Sequence, residues 1–404
     1  MKTLKLLTVA FLVVFLAACS DENNPGGSEG ESAMTEIRGE FSGEELQALE
    51  RTSQFDVDFF NAAMRLEGEA NIAVSPLSAK MTLAMLANAL DDESRAEITS
   101  KLGCGDMASL NGAIGRYIEL FPKIDSKVAG AIANSAWYSN RLNLSSGFSE
   151  VMGSNYGGAC FPLDFSRPNE AAQAINDWAS ANTDNMIKGI VSEDDFDRDM
   201  LSVLANALFF DGKWKEAFDP RETAKATFHG AMTESTVDMM HGEFETTLRI
   251  HENYRSIELI LGDDTFAMEF ILPDGTSGDF PAYEKDGGSE VKTTVALWLP
   301  RFSYTTEGRL DLHDIFAAMG FEKMYAFDRM DMFAPAVAIS DPQLKIYQKN
   351  SIEITESGAK ATSVTAAEVG NGGPTELRFD RPFAFVLRDL QVGTILMAGR
   401  IAEL

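Results

Sequence analysis

The order of helical and strand-like segments constrains the fold of this chain more than any other sequence feature. Apolar residues recur at helical spacing early in the sequence, whereas segments rich in β-branched and aromatic residues dominate its later part. We expect helices at residues 44–66, 78–90, 110–120, 147–156, 168–182 and 310–319. We expect strands at residues 128–138, 201–210, 246–252, 256–261, 265–272, 291–299, 344–355, 377–388 and 394–401. This order predicts an α+β fold rather than alternating βαβ units.

Residues 1–18 have the pattern of a secretory signal peptide. Lys2 and Lys5 precede an apolar run at residues 6–17, which is short for a membrane span, and small residues then lead to Cys19. The sequence Leu-Ala-Ala-Cys resembles the bacterial lipoprotein box, which implies cleavage before Cys19 and lipidation of its thiol. An ordinary signal peptide with an incidental cysteine is the alternative.

Residues 19–43 read as a flexible tether between this signal and a folded domain at residues 44–404. The acidic residues after Cys19 resemble the signal that some Bacteroidetes lipoproteins carry for transfer to the outer face of the outer membrane; a merely polar start of the tether is the alternative. Residues 23–34 are rich in Gly, Ser, Asn and Glu and cannot bury enough apolar surface to fold. We therefore expect an exported outer-membrane lipoprotein that contacts the membrane through its lipid anchor only.

The charge of the chain excludes one class of partner. The formal net charge is −28, whereas binding to nucleic acid requires a cationic surface. We therefore expect no nucleic-acid partner.

The cysteine content predicts a fold that does not depend on disulfides. Apart from Cys19, the chain contains only Cys104 and Cys160, which could pair in an exported protein but do not form a disulfide framework. Hydrophobic residues make up 45% of the chain, enough to build a core without such staples.

Catalytic and metal-binding patterns are missing from the sequence or lie in the wrong context. Residues 26–30 match the Gly-x-Ser-x-Gly nucleophile elbow, but they fall in the tether, without the strand and helix that the elbow requires. The four histidines are His229, His241, His251 and His313, and no two have the i,i+4 spacing of a metal site. We therefore expect no enzyme, no metal and no cofactor, although sequence alone leaves open a triad formed by spatial proximity.

Several segments together resemble the serpin family, in the order that is typical of the family, and cover the chain from about residue 48 to residue 404. They are residues 71–78, 204–214, 218–220, 227–229, 270–274, 299–302, 380–385 and 393–401. The resemblance implies a monomeric serpin fold, with three β-sheets, a helical cap and an exposed reactive-centre loop. It also implies that a protease cleaves this loop and is trapped as an acyl-enzyme while the loop enters the main sheet as a new strand.

The stretch at residues 357–376, between two predicted strands, is longer than most connections and would be this loop. From residue 359 to 368, the odd-numbered residues all have small side chains, whereas the even-numbered residues include both charged side chains; we call these two sets the small parity and the outward parity. The small parity is Ala359, Ala361, Ser363, Thr365 and Ala367; the other is Lys360, Thr362, Val364, Ala366 and Glu368. In a strand these sets lie on opposite faces, which suits entry into a packed sheet, because a buried Lys costs several kcal/mol and large side chains overpack a core. A flexible loop of small residues is the alternative.

The resemblance assigns roles to two groups of residues, the loop hinge and the residues at which the main sheet opens. The loop hinge comprises Glu356, Ser357, Gly358, Ala359, Lys360 and Ala361. Alanine at 359, the first inserting position, is typical of inhibitory members, whereas Lys360 and Val364 depart from the family pattern on the outward parity. Sheet opening is assigned to Arg301 paired with Glu356, to Trp214, and to a buried polar cluster of Ser75, Ser78, Asn206 and Gln348.

The bond that a protease would cut is less well defined by the sequence. Counting from the hinge gives Gly372–Gly373, counting back from Phe379 gives Asn371–Gly372, and Val369–Gly370 would suit an elastase-like pocket. None of these bonds suits a trypsin-like protease, so we expect elastase-like, subtilisin-like or papain-like targets. The glycine-rich residues 370–373 keep open the alternative of a non-inhibitory serpin-fold binding protein at the cell surface.

Overall fold

The structure is a computed structural model that describes residues 35–183, 189–196, 198–275, 280–306, 310–338, 346–358 and 374–404. Its helices are α1 (Gly43–Leu66), α2 (Pro76–Ala89), α3 (Asp92–Leu102), α4 (Met107–Leu120), α5 (Ser146–Asn155), α6 (Pro168–Asn182) and α7 (His313–Ala318). Its strands are β1 (Ile72–Val74), β2 (Val128–Ser139), β3 (Ala159–Leu163), β4 (Ser202–Gly212), β5 (Ala224–His229), β6 (Glu234–Ile250), β7 (Tyr254–Leu261), β8 (Phe266–Pro273), β9 (Ser289–Pro300), β10 (Phe302–Thr305), β11 (Leu310–Asp311), β12 (Arg329–Met330), β13 (Val337–Ala338), β14 (Tyr347–Gln348), β15 (Ser351–Ile354), β16 (Thr375–Arg378), β17 (Phe383–Asp389) and β18 (Ile395–Ile401).

Local capping explains where the two central helices begin. Ser42 and Glu45 form a capping box at the start of α1, in which each side chain accepts a hydrogen bond from the backbone N–H of the other residue. At the start of α2, the Ser75 hydroxyl accepts from the backbone N–H of Ser78, and Pro76 occupies the first turn. Because α2 is buried along nearly its whole length, it forms the centre of the hydrophobic core.

The predicted α+β class and serpin-like arrangement of three sheets are confirmed. One strand path runs β1-β18-β17-β8-β7-β6-β9-β16, with β5 also paired to β6. The long strand β6 joins two of the sheets, because its first residues, 234–239, pair with β5, its residues 239–250 pair with β9, and residues 248–250 pair also with β7. Two further groups of strands, β3-β2-β4 and β10-β15, are not paired with each other among the described residues; in the serpin-like arrangement they are the two parts of the third, main sheet.

The structure corrects several predicted boundaries. The strand predicted at 246–252 is only the end of β6, which begins at Glu234. The single strand predicted at 377–388 is two strands, because the chain leaves β16 before Pro382, and β17 then pairs with different neighbours. Residues 344–355 are described from residue 346 and contain the short strands β14 and β15. Helix α3 and strands β3, β5, β10, β12 and β13 were not predicted, and the helix predicted at 310–319 begins only at His313, after the short strand β11.

The folded domain also begins earlier than predicted. Ile37 is completely buried, the Thr35 N–H donates to the carbonyl of Ile124, and Arg38 forms an ion pair with Glu50 of α1. The prediction of a flexible tether is therefore wrong for residues 35–43, while residues 1–34, including Cys19, lie outside the described residues.

The cysteine question left open by the sequence has an answer in the structure. Cys104 and Cys160 form no disulfide with each other, and Cys104 is buried. Burial raises the pKa of the Cys104 thiol to about 11, so this group behaves as a small core residue. Among the helices of the described residues, none is long and apolar enough to span a membrane.

Candidate functional site: a gap between two strands

Strands β4 and β15 each have one paired edge. β4 pairs with β2 over its whole length, and β15 pairs with β10. Within the described ranges no strand pairs with the opposite edge of either one. Many side chains of β4 are only half-buried, including Leu204, Leu208 and Phe210. We call the space between these two open edges the gap.

The chain closes the gap at one end, where the segments that follow β4 and β15 meet. The Trp214 N–H donates to the carbonyl of Ser357 at 3.4 Å, and the Phe218 N–H donates to the carbonyl of Glu356 at 2.9 Å. The indole Nε1 of Trp214 donates to the carbonyl of Thr355 at 2.9 Å. The end of the gap is therefore fixed by hydrogen bonds centred on a buried tryptophan.

The backbone turns at this closed end. The Gly358 N–H donates to the carbonyl of Thr355 at 3.1 Å, which closes a β-turn. Gly358 has a φ of +51°, and a Cβ there would lie 2.3 Å from the backbone nitrogen of Trp214. Both the left-handed backbone and the close approach require glycine, so the turn that ends β15 depends on this residue.

Glu356 is held beside the turn by charged and polar neighbours. Its Oε1 accepts from Thr223 Oγ1 at 2.9 Å and lies 3.5 Å from Nη1 of Arg301. Arg301 also donates to Asp238 at 2.5 Å. The pKa of Asp238 is lowered by its hydrogen bonds to Lys225 and then to Arg301. The structure thus brings Arg301 and Glu356 together, and this pair is one end of a network of ion pairs that continues through Asp238 to Lys225.

Three of the four residues of the predicted polar cluster meet beneath β14 and β15. The side chain of Gln348 accepts from the Ser75 N–H at 3.0 Å and donates to the Ser75 carbonyl at 2.8 Å. The hydroxyls of Ser75 and Ser78 lie 2.9 Å apart, and Ser75 also donates to the carbonyl of Leu396 at 2.6 Å. This cluster fastens the start of α2 to β14.

Asn206, the fourth residue of the predicted cluster, forms no hydrogen bond with the other three among the described residues. Its Nδ2 donates to Asn134 Oδ1 on β2 at 2.8 Å and lies 3.7 Å from Met81 Sδ on α2. Its Oδ1 is buried without a hydrogen-bond partner among the described residues. Helix α2 therefore contacts β14 through its first turn and β4 through Met81, so both sides of the gap rest on one helix.

Sequence reasoning missed two residues that support these groups. Thr223 anchors Glu356, and Asn350 donates to Gln348 Oε1 at 3.3 Å and to the Ala73 carbonyl at 3.0 Å. The sequence did contain a signal for Asn350. It lies two positions after Gln348 and therefore on the same side of the strand, as a second polar residue in an apolar segment. Nothing in the local sequence indicates Thr223.

The remaining predicted site residues lie outside the described residues. They are the hinge positions Ala359, Lys360 and Ala361, and the reactive-bond candidates Val369, Gly370, Asn371, Gly372 and Gly373. The described chain resumes at Pro374 and enters β16 at Thr375.

The comparison with protein families agrees with this geometry. The family model described as serpin (serine protease inhibitor) matches residues 50–404. The chain belongs to the serpin family. Serpins are generally protease inhibitors rather than enzymes and interact with target proteases, although some serpins are non-inhibitory.

Individual relatives can be aligned with this serpin over most of its length. Human neuroserpin is 27% identical over 380 residues, which cover 87% of this chain and 90% of neuroserpin. A rice protein named probable non-inhibitory serpin-Z9 is 25% identical over 393 residues, which cover 89% of this chain and 87% of that protein. The crystal structure of Serpin48 from the insect Tenebrio molitor has a TM-score of 0.74 at 24% identity and covers 90% of this chain and 100% of Serpin48.

Proposed function

We propose that this serpin inhibits proteases by suicide cleavage: its loop is cut, the protease is trapped as an acyl-enzyme, and the cut loop inserts between β4 and β15. The observation that carries the proposal is the gap itself. Within the described ranges, the facing edges of β4 and β15 are unpaired. An apolar edge strand such as β4 invites unwanted pairing unless another strand joins it. Strand addition pairs both edges with main-chain hydrogen bonds.

The length of the gap supports cleavage in the later part of the loop. β4 has 11 residues, or about 36 Å of strand at about 3.3 Å per residue. Because the turn at Gly358 faces Trp214, directly after β4, an inserted strand would begin at residue 359 and run antiparallel to β4. Cleavage after Val369 would free residues 359–369, which equal β4 in length. Cleavage after Lys360 would free too few residues to fill the gap, so Lys360 is a poor trapping site.

The composition of the inserting segment also supports the proposal. Ala359, Ala361 and Ser363 share the small parity, so they would meet the core without overpacking it. The charged Lys360 and Glu368 share the other parity and would stay in solvent. We propose elastase-like or subtilisin-like serine proteases, or papain-like cysteine proteases, as targets because small residues and no Arg surround the candidate bonds.

A second candidate function is a non-inhibitory binding protein of the same fold. The name of the rice relative, probable non-inhibitory serpin-Z9, shows that the family's sequence range includes such proteins. The glycine-rich residues 370–373 favour this candidate, because glycine offers no side chain to a protease specificity pocket.

The two candidates are separated by one experiment. The serpin is mixed with elastase, subtilisin, papain and trypsin, and the products are analysed on denaturing gels and by intact mass. We expect a denaturant-stable complex with at least one of the first three, and the mass of the released peptide locates the cut bond. Clean cleavage of the loop with every protease still active would contradict inhibition and favour the binding protein.

We also propose that the serpin is a monomer anchored at the outer membrane through lipidated Cys19. The lipoprotein-box sequence before Cys19 supports the anchor, since several acyl chains on one residue bind membranes firmly. Metabolic labelling with an alkyne fatty acid should label the wild type and not Cys19→Ser. Labelling of both proteins alike would contradict the assignment.

A further inference from the structure

A stack of three side chains crosses the outer face of the sheet formed by β6, β9 and β16. In the strand register, Arg378 lies opposite Trp298, and Trp298 lies opposite His241. The guanidinium carbon of Arg378 is 3.8 Å from the centre of the Trp298 ring, and the His241 ring stacks on the other side at 4.4 Å. Since Trp298 is held from both sides, it would lose little side-chain freedom on binding a partner.

The neighbouring row of the same face is acidic. Glu376 and Glu243 lie opposite Ala296 from its two sides. Because they are two strands apart, their backbones lie about 10 Å from each other. Both glutamates are exposed, and neither has an ion-pair partner within the described part of the chain. We call these two rows, His241–Trp298–Arg378 and Glu243–Ala296–Glu376, the outer face.

The position of the outer face identifies what would cover it. Glu376 lies three residues after Gly373, so at most about 11 Å of chain separates it from the latest candidate bond. A standard interface buries about 800 Å² on each partner, a patch that extends about 16 Å from its centre. A protease bound at bonds 371–373 would therefore cover Glu376 and extend along the acidic row towards Glu243.

We propose that the outer face is an exosite for the target protease, and that it selects proteases carrying Arg or Lys beside the active-site cleft; the proposal rests on the function proposed above. Glu243 and Glu376 are placed to pair with two basic side chains, and the formal net charge of −28 steers a cationic protease towards the serpin. Trp298 and Arg378 supply the residue types that dominate binding energy at interfaces.

The test measures the second-order rate constant for cleavage of the loop, with a cationic elastase and with an anionic elastase of the same side-chain preference. The variants are Glu243→Lys, Glu376→Lys and Trp298→Ala. The matched control is Glu150→Lys, which makes the same charge change at an exposed position of α5. Thermal unfolding of each variant checks that it is folded.

For the cationic elastase, each reversal at 243 or 376 should lower the rate constant by about five- to tenfold at low salt, and the effect should shrink as salt rises. Glu150→Lys should change it less than about twofold, and the anionic elastase should show no loss with any charge variant. Trp298→Ala should lower the rate for the cationic elastase at every salt concentration, because its contact is not Coulombic.

The readout separates this proposal from the proposed function. Loop cleavage is measured whether or not a covalent complex forms, so a substrate-like serpin would still report an exosite. Rate constants for Glu243→Lys and Glu376→Lys within twofold of the wild type, or an equal loss in Glu150→Lys, would overturn the exosite even if covalent complexes are observed.

Discussion

Strands β4 and β17 have similarly apolar sequences but differ in how completely they are buried. Every residue of β17 is buried, and the strand is paired on both edges, with β18 and with β8. Among the described strands, β4 is paired on one edge, with β2, and much of it is half-exposed. Residues such as Leu204, Leu208 and Phe210 suit a strand with two neighbours. The difference indicates that β4 belongs to a sheet that is one strand short.

Cleavage of the loop should remove this difference and produce the largest effect. Residues 359–369 would then pair with both open edges and cover the half-exposed side chains of β4. We expect the melting temperature to rise by more than about 10 °C after cleavage. Differential scanning calorimetry of intact and cleaved serpin measures it. An unchanged melting temperature would contradict insertion.

Side-chain truncation should cost more stability in the fully paired sheet of β8 and β17 than in β4. Phe270→Ala in β8 removes a ring that is 0% exposed, and should cost about 3–5 kcal/mol. Leu208→Ala in the half-exposed β4 should cost about 1–2 kcal/mol before cleavage. Urea unfolding measures both. After cleavage the cost of Leu208→Ala should increase, and the same cost in both forms would show that β4 gains no neighbour.

The fully buried strand β17 should give the stability of the serpin a pH dependence above pH 4. Burial raises the pKa of Asp389 at the end of β17 to about 6, from an ordinary value of 3.8. Its contribution to stability is therefore fully present below about pH 4 and is lost as pH rises through 6, by about 2–3 kcal/mol.

Asp389→Asn tests this dependence. Asparagine keeps an oxygen for the N–H groups of Gln391 and Val392 and removes the titration. We expect the difference in unfolding free energy between variant and wild type to shift in favour of the variant from pH 4 to pH 7.5, as measured by urea unfolding at both pH values. Parallel pH profiles of variant and wild type would refute the assignment.

The smallest effect is expected at the ion pair beside the hinge. Arg301 is 46% exposed and lies 3.5 Å from Glu356, so solvent screens the pair. Arg301→Gln should cost less than about 1 kcal/mol in intact serpin, and less still in high salt. A loss above about 2 kcal/mol would mean that this network, and not the hydrogen bonds around Trp214, holds the closed end of the gap.

The sequence predicted the bounds of those strands that are marked by a local pattern. β2, β4 and β18 were predicted within two residues of their observed bounds, because apolar runs and turn residues mark them. Helix α3 was missed because, among its apolar residues, only Ile98 and Leu102 are buried. β3 was missed because it contains Pro162 and lies at a sheet edge.

The candidate site was predictable in part. The pair of Arg301 with Glu356, and the cluster of Ser75, Ser78 and Gln348, followed from family resemblance and were brought together by the structure. The position of Asn206 depends on how α2 crosses beneath β4, which no local pattern contains. The first half of β6 escaped prediction because it contains Glu234, Asp238, Gly242 and Glu243, residue types that are depleted in strands.

The most direct test of the account compares two arginine substitutions at adjacent loop positions of opposite parity. Ala361→Arg places a charge on the small parity, which must enter the core, and Thr362→Arg places the same charge on the outward parity. With the protease found to form a complex, we predict that Thr362→Arg still gives the denaturant-stable complex, whereas Ala361→Arg is only cleaved. Equal amounts of complex from the two variants, measured on denaturing gels, would contradict insertion of this segment between β4 and β15.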